Sequence, residues 1–296
     1  MNKSFTLIEI LVVIVVVGVL SAFILVGMSS ITSSANIAKG KAFLNSMDNS
    51  LLLGRVSQWK FDELTTAKDT NTTIDSWGSN TGTLSTGDAL EKLSTNCPSG
   101  KCLSLDGTND YVGCGNGTSL NVSEITVGLW VKITTLNQWS PIISRGRGGG
   151  EKPWLLMLGF NSNLYSNVIT TSGSSGNYWG FIPYTGQWYY LVFSYNSVDG
   201  MKTYVNGVSK DGAVPAGTIN NSTTVNLYIG TDDNINTFFN GLIDDVRIYN
   251  QAIPTSQIRQ NYFLGLNNLY KNNGITLNEL NQRLVELKNG LVSKDF

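Results

Sequence analysis

Hydrophobic and polar residues fall into three textures along the chain. From Leu7 to Met28 the sequence is strongly aliphatic over about 22 residues, and after Glu9 no charged side chain occurs until Lys39. At about 1.5 Å per residue a helix of that length reaches roughly 33 Å, enough to cross a bilayer core. From Ser29 to Gln58 the apolar positions Ile31, Ala35, Ala38, Ala42, Leu44, Met47, Leu51, Leu52 and Val56 recur at mostly helical spacing, without proline. This spacing predicts one long helix from the membrane to about Val56, able to bend near Gly27 or Gly40. A loose stalk is the alternative for its second half.

Beyond Trp59 the texture is that of β-structure. Short alternating runs are bounded by Gly, Asn, Asp and Ser. Leu103–Leu105 and Tyr111–Val112 flank Asp106-Gly107, which predicts a hairpin. Trp188–Tyr195, Met201–Val205, Asn226–Gly230 and Leu242–Tyr249 read as further strands, with a tight turn at Asn206-Gly207. Trp188–Tyr195 is apolar or aromatic on both faces, as suits a strand buried on both sides. The pattern points to a mainly β fold, a jelly-roll sandwich. The texture changes again after Tyr262. Leu277, Leu280, Leu284 and Leu287 recur at helical spacing, with Thr276 as N-cap, Glu279 as its capping-box partner and Gly290 as terminator. The docking site of this short C-terminal helix stays open between the sandwich, the first helix and a neighbouring subunit.

Composition narrows the function classes. The 296 residues carry a formal net charge of -1, which argues against nucleic acid as a partner. There is no histidine, which removes histidine triads, histidine bases and histidine-ligated metals.

The segment SFTLIEILVVIVVVGVL resembles the N-terminus of type IV pilins and pseudopilins. The resemblance implies a short basic leader, Met1–Ser4, cut by a prepilin peptidase between Ser4 and Phe5, with the new Phe5 amine methylated. Ser4 stands where the family usually has glycine, a departure that bears on cleavage efficiency. It also implies an assembly role for Glu9. An unpaired carboxylate at membrane depth is costly, and the Phe5 ammonium of an adjacent subunit relieves it. The expected partners are other pilin subunits and the pilus or secretion assembly machinery. The chain is expected first in the cytoplasmic membrane as a single-pass protein, then in an extracellular filament. A large head favours a minor pilin or pseudopilin. The alternative is a membrane-anchored carbohydrate-binding protein that never polymerises.

A second resemblance rests on WKFDE (Trp59–Glu63), DSWGSNTGTL (Asp75–Leu84), CLSLDGTNDYV (Cys102–Val112), ITVGLWVK (Ile125–Lys132), WYYLVFSYN (Trp188–Asn196), KTYVNG (Lys202–Gly207) and FNGLIDDVRIYNQAI (Phe239–Ile253). In this order they are similar to laminin-G-like, concanavalin-A-like jelly-roll domains. The organisation is then leader 1–4, transmembrane and stalk helix 5–56, β-sandwich head 57–263 and helical tail 264–296.

Domains of that kind often bind calcium at a sheet edge, and Asp62, Asp106, Asp110 and Asp244 are the candidate ligands. Turn-capping aspartates are the simpler reading. Asp244, two and four residues before Val246 and Ile248, is expected to point inward with them, and Asp245 to pair with Arg247. Sugar binding, to glycans or surfaces, draws attention to Trp154, Tyr178, Trp179 and Tyr184 in the Gly/Ser-rich centre, although packing in the sheets competes for each. Adjacent Asp244 and Asp245 alternate across a strand and cannot flank one glycosidic bond, so no catalytic residue is expected. Of Cys97, Cys102 and Cys114, the pair Cys102–Cys114 is favoured across the anticipated hairpin, with Cys97–Cys102 as the alternative.

Overall fold

The structure, a computed structural model, describes residues 54–64, 72–85, 96–146, 153–212 and 216–290. The leader, the long helix, Ser4, Phe5 and Glu9 lie outside the described residues.

Two antiparallel sheets face each other. The strands in chain order are β1 (Arg55–Trp59), β2 (Thr72–Thr73), β3 (Gly82–Leu84), β4 (Leu103–Asp106), β5 (Val112–Gly113), β6 (Ile125–Ile133), β7 (Ser140–Arg145), β8 (Trp154–Leu158), β9 (Leu164–Thr170), β10 (Gly173–Tyr178), β11 (Trp188–Asn196), β12 (Gly200–Val205), β13 (Val208–Asp211), β14 (Leu227–Ile229) and β15 (Asn240–Tyr249). Sheet A runs β1-β15-β6-β11-β12-β13, with β4 also paired to β15. Sheet B runs β10-β9-β8-β7-β14-β5-β3-β2. The anticipated turn between β12 and β13 forms at Asn206 and Gly207, both with positive φ (52° and 79°), as a two-residue hairpin turn requires.

The core lies between the sheets. Val127, Leu129, Val131 and Ile133 of β6 meet it on one face, and Tyr189, Leu191, Phe193 and Tyr195 of β11 do the same. The other face of both strands carries Trp130, Trp188, Tyr190 and Val192, and two C-terminal helices pack against it. These are α1 (Thr255–Lys271) and α2 (Leu277–Asn289). Tyr262 of α1 stacks on Trp130 with centroids 5.6 Å apart, and Trp130 lies 5.3 Å from Tyr190. Arg283 of α2 donates to the Trp188 carbonyl at 2.6 Å. Thus the tail docks on the sandwich. Helix α2 starts and stops as its sequence requires: the Thr276 hydroxyl accepts from the Glu279 N–H at 3.1 Å, and Gly290 closes it at φ 68°. Glu279 itself pairs with Arg283 at 2.6 Å.

Four expectations need correction. The tail holds two helices, not one, and α1 begins inside the segment assigned to the head. Its buried positions include Gln257, Asn261 and Gly265, so its apolar stripe is broken in sequence. The Asp106-Gly107 turn does not make a hairpin. Strand β4 pairs with β15 in sheet A, whereas β5 pairs with β14 and β3 in sheet B. Cys102 and Cys114 are therefore in different sheets. The disulfide joins Cys97 to Cys102, Cα atoms 5.8 Å apart, and Cys114 is a buried free thiol.

The fourth correction concerns Asp244. A bulge in β15 shifts the register between Asp244 and Arg247, with Asp245 at φ 47°. The extra residue breaks the alternation. Ile243, Val246 and Ile248 share the core, and Asp244 does not face it. Instead its Oδ2 accepts from the Ser99 N–H at 2.7 Å and its Oδ1 from the Asp245 N–H at 2.6 Å. Asp245 pairs with Arg247 at 2.7 Å, as anticipated, and accepts from Gln58 Nε2 at 2.8 Å.

Burial, then the Asp245 and Asp62 carboxylates, push Asp244 well above the usual carboxylate range, against the pull of the two backbone donors. The native state therefore holds this proton more tightly than the unfolded chain does. Stability from this group is full below the ordinary Asp pKa of about 3.9 and falls as pH rises from there through the raised native value. Thermal melts between pH 5 and pH 8 should show a higher Tm on the acid side, and D244N should flatten that slope. An unchanged slope in D244N would refute the assignment.

Candidate functional site

The strand registers gather one set of loops at one end of the sandwich. In sheet A, Asp106 pairs with Asn240, Gly241 with Ile133, and Lys132 with Trp188. In sheet B, Ser140 pairs with Leu158 and Leu158 with Leu164. The loops leaving these rungs are 107–111, 134–139, 159–163, 179–187 and 230–239. Backbone bonds knit them together. Gly186 N–H donates to the Ile133 carbonyl, Leu164 N–H to Phe181, and Thr134 N–H to Asn240, at 2.8 to 3.0 Å.

A cleft of about 360 Å³ opens between three of these loops, lined by Gly107, Thr108, Asn137, Gln138, Ser140, Asn236, Thr237 and Phe238. Its lining offers amides, hydroxyls and an aromatic edge, and among the described residues no ionised side chain. Trp139, between the lining residues Gln138 and Ser140 in sequence, is 46% exposed, and its ring lies 6.5 Å from Phe160, 57% exposed. Ile182, Tyr184 and Ile235 are further exposed apolar side chains on the same loops. Such an accumulation is unusual for side chains that fold the protein only by burial. Trp139 (φ 61°), Asn161 (52°), Ser162 (57°) and Ile235 (49°) all adopt left-handed backbone here. For a β-branched residue such as Ile235 this is strained, and strain of that kind concentrates at binding loops.

The two sides of the cleft are fixed by short-range chemistry. Asp106 Oδ1 accepts from the Thr108 N–H at 2.7 Å and the Asn109 N–H at 3.3 Å, and Asp110 Oδ2 accepts from the Asp106 N–H at 3.0 Å. Burial alone would raise the Asp106 carboxyl, but the N–H groups of Thr108, Asn109 and Asp110 outweigh it and the net shift is downward. Opposite, the Ser140 hydroxyl donates to the Phe238 carbonyl at 3.1 Å and the Thr231 hydroxyl to the Thr237 carbonyl at 2.7 Å. Ser140 thus holds the 134–139 loop against the 230–239 loop.

The candidate residues are distributed unevenly over this site. Trp154 is fully buried in the core, 5.7 Å from Phe193, at the other end of β8, so it is a packing residue and no ligand contact. Trp179 is partly buried against the core, and Tyr184 is 46% exposed; both lie on the 179–187 loop beside the cleft. The backbone of Tyr178 ends β10, and its side chain lies outside the described residues.

The four candidate calcium ligands separate into two pairs. Asp106 and Asp110 bind their own turn. Asp62 and Asp244 gather at the loop closed by the disulfide, where Asp62 Oδ1 accepts from the Lys101 N–H at 2.9 Å. Among the described residues no group of three or more carboxylates or thiols is placed to hold a metal ion. The four aspartates therefore do not fit one calcium ion.

Sequence reasoning overlooked Asn137 and Gln138, which line the cleft, and the exposed rings of Trp139 and Phe160. It also gave no role to Asp75, whose carboxylate accepts from the N–H groups of Gln58, Trp77, Gly78 and Asn80 at 2.8 to 3.1 Å and organises the DSWGSN segment.

The described architecture has relatives. The family model of the concanavalin A-like lectin/glucanases superfamily matches residues 106–259, just over half of the chain. The chain belongs to this superfamily. A second model, the prokaryotic N-terminal methylation motif, matches residues 1–25. Searching curated proteins finds no match. Among solved structures, the concanavalin A-like head is similar to domain 4 of AbnA, an extracellular arabinanase from Geobacillus stearothermophilus solved with arabinotriose. That match has 21% identity and a TM-score of 0.51, and covers 71% of this chain and 98% of that one. The binding domain of Paraclostridial Mosquitocidal Protein 1 matches with a TM-score of 0.54 at 16% identity, over 73% of this chain and 53% of that one. The receptor-binding domain of botulinum neurotoxin mosaic serotype C/D matches at 0.51 and 17%, over 72% and 51%. The chain thus spans about half the length of the two toxin domains. At these identities the likeness concerns the fold.

Proposed function

We propose that this chain is a prepilin-type subunit, a minor pilin or pseudopilin, that carries a lectin-like head for adhesion to glycans or surfaces. The observation behind the reading is the union in one chain of an N-terminal methylation motif at residues 1–25 and a concanavalin A-like domain at 106–259. The first supplies a peptidase-processed anchor, held in the cytoplasmic membrane before assembly with other subunits. The second supplies a rigid sandwich whose end loops present amides beside exposed aromatic rings, the groups that bind sugar hydroxyls and stack on sugar rings. The arabinanase domain solved with arabinotriose supports the idea that a domain of this shape can hold an oligosaccharide.

Binding without cleavage is the reading that the described lining of the cleft favours. Glycoside hydrolysis uses two carboxyl groups across the scissile bond. Among the described residues the cleft lining has none. Asp244 and Asp245 are committed to the bulge of β15.

Mass spectrometry of the mature N-terminus, on protein taken from the native membrane or filament fraction, tests the anchor half of the proposal. The expected species begins at Phe5 with a methylated amine. Protein that still begins at Met1 in both fractions would leave a membrane-anchored binding protein instead.

A further inference from the structure

The C-terminal hairpin of helices covers the middle of the outer face of sheet A through the Trp130–Tyr262–Tyr190 stack. A second, smaller pocket beside residues 252–255 is polar and contains the Lys202 and Asp199 side chains; the loop-end cleft is where polar lining and exposed aromatics coincide. We infer that this cleft takes a neutral glycan, seated on Trp139 and Phe160 and bound through Asn137, Gln138 and Asn236, and that it refuses anionic glycans. The inference rests on the lectin-like reading above and adds the ligand class and the residues that select it.

Three observations support the choice. First, among the described residues no lysine or arginine lines the cleft. An anionic sugar desolvated there would lack a counter-charge, which is costly. Lys210 at this end donates to the Trp179 carbonyl, and Lys132 lies on the side of β6 opposite the core residues Val131 and Ile133. Second, the carboxylates near the cleft have the wrong sign for an acidic ligand. Asp106 and Asp110 belong to one bounding loop, and Asp232 and Asp233 to the other. Third, side-chain amides pair a donor with an acceptor, as vicinal hydroxyls require, and two exposed aromatic rings, 6.5 Å apart and tilted by 48°, each offer a face for the apolar side of a sugar ring. The volume of about 360 Å³ lies at the small end of ligand clefts and suits a short segment of chain.

The test uses the full-length protein in a sugar-free amphipol, on an array carrying neutral glycans (arabinan, galactan, mannan and glucan fragments) and anionic ones (polygalacturonate, alginate, sialylated and sulfated glycans). Binding to neutral glycans is expected, weakened at least tenfold by W139A, with the Tm of the variant unchanged. F160A and Q138A should each weaken it as well, and they decide the matter should W139A fold poorly. Equal or tighter binding to the anionic set would overturn the inference and leave the lectin-like reading standing. Neutral binding indifferent to all three variants would move the site elsewhere and overturn the inference too. No binding to any glycan would overturn the lectin-like reading along with it.

Discussion

Truncating Trp130 to alanine should lower the melting temperature of the head by roughly 10 °C. The indole is almost fully buried and is the platform on which α1 sits, with Tyr262 stacked at 5.6 Å and Tyr190 on its flank at 5.3 Å. Removing a buried tryptophan costs about 3–5 kcal/mol, and in a domain of this size about 1 kcal/mol shifts Tm by roughly 2–4 °C. Gly265 shows why the contact is so tight. A Cβ there would lie 2.5 Å from the Trp130 ring. Gly265→Ala would gain about 1 kcal/mol of helix propensity on an exposed helix, yet here the overlap should reverse the sign and destabilise. Differential scanning calorimetry of W130A and G265A measures both. Wild-type melting in W130A would show that the helices are not anchored there, and would reopen the outer face of sheet A as a binding surface.

The same region shows what the sequence could and could not convey. Strands β12 and β15 were legible from local signals, short alternating runs and an Asn-Gly turn, and β11 from a continuous apolar and aromatic run bounded by polar residues. The double-sided apolarity of Trp188–Tyr195 correctly marked a strand covered on both sides, but the cover turned out to include helices. Helix α1 was missed because Gln257, Asn261 and Gly265 occupy its buried stripe, so its pairing surface is polar or absent at the places that normally announce a helix. The disulfide was misjudged because Asp106-Gly107 has hairpin chemistry and yet carries the chain from one sheet to the other. Asp244 was misplaced by a single extra residue, since a bulge exchanges faces from that point on.

The candidate site was half legible for a related reason. Trp179 and Tyr184 reach the correct end of the sandwich, while Trp154, from the same stretch, lies in the core at the other end of its strand. No periodicity marks Trp139 or Phe160, because loop side chains obey none. The available signal was compositional: Asn137-Gln138-Trp139 and Gly159-Phe160-Asn161 each place a lone aromatic among polar or turn-forming residues. Only the strand registers reveal that these two stretches meet. By contrast the prepilin-type N-terminus is read from a linear motif and needs no fold at all to be recognised.

That motif carries the other large effect. Glu9, which lies outside the described residues, is expected to be indispensable for assembly and dispensable for membrane insertion. In the bilayer a lone carboxylate is unfavourable wherever it cannot find a cation. In the proposed processing, cleavage after Ser4 would create one, the Phe5 ammonium, which a neighbouring subunit would present at the depth of Glu9. Removing one partner of such a buried pair costs about 3–5 kcal/mol because the other charge is left uncompensated. At about 1.4 kcal/mol per decade, incorporation of Glu9→Ala into filaments should fall roughly a hundredfold or more. Glu9→Gln, nearly isosteric, should fail as well, which separates loss of charge from loss of shape, whereas Glu9→Asp should retain part of the activity. Quantitative immunoblots of sheared filaments against membranes measure both pools. Either neutral variant entering filaments at the wild-type level would show that the carboxylate sets no register. In that case the aliphatic segment would serve as a plain anchor, and the head would act from the membrane surface.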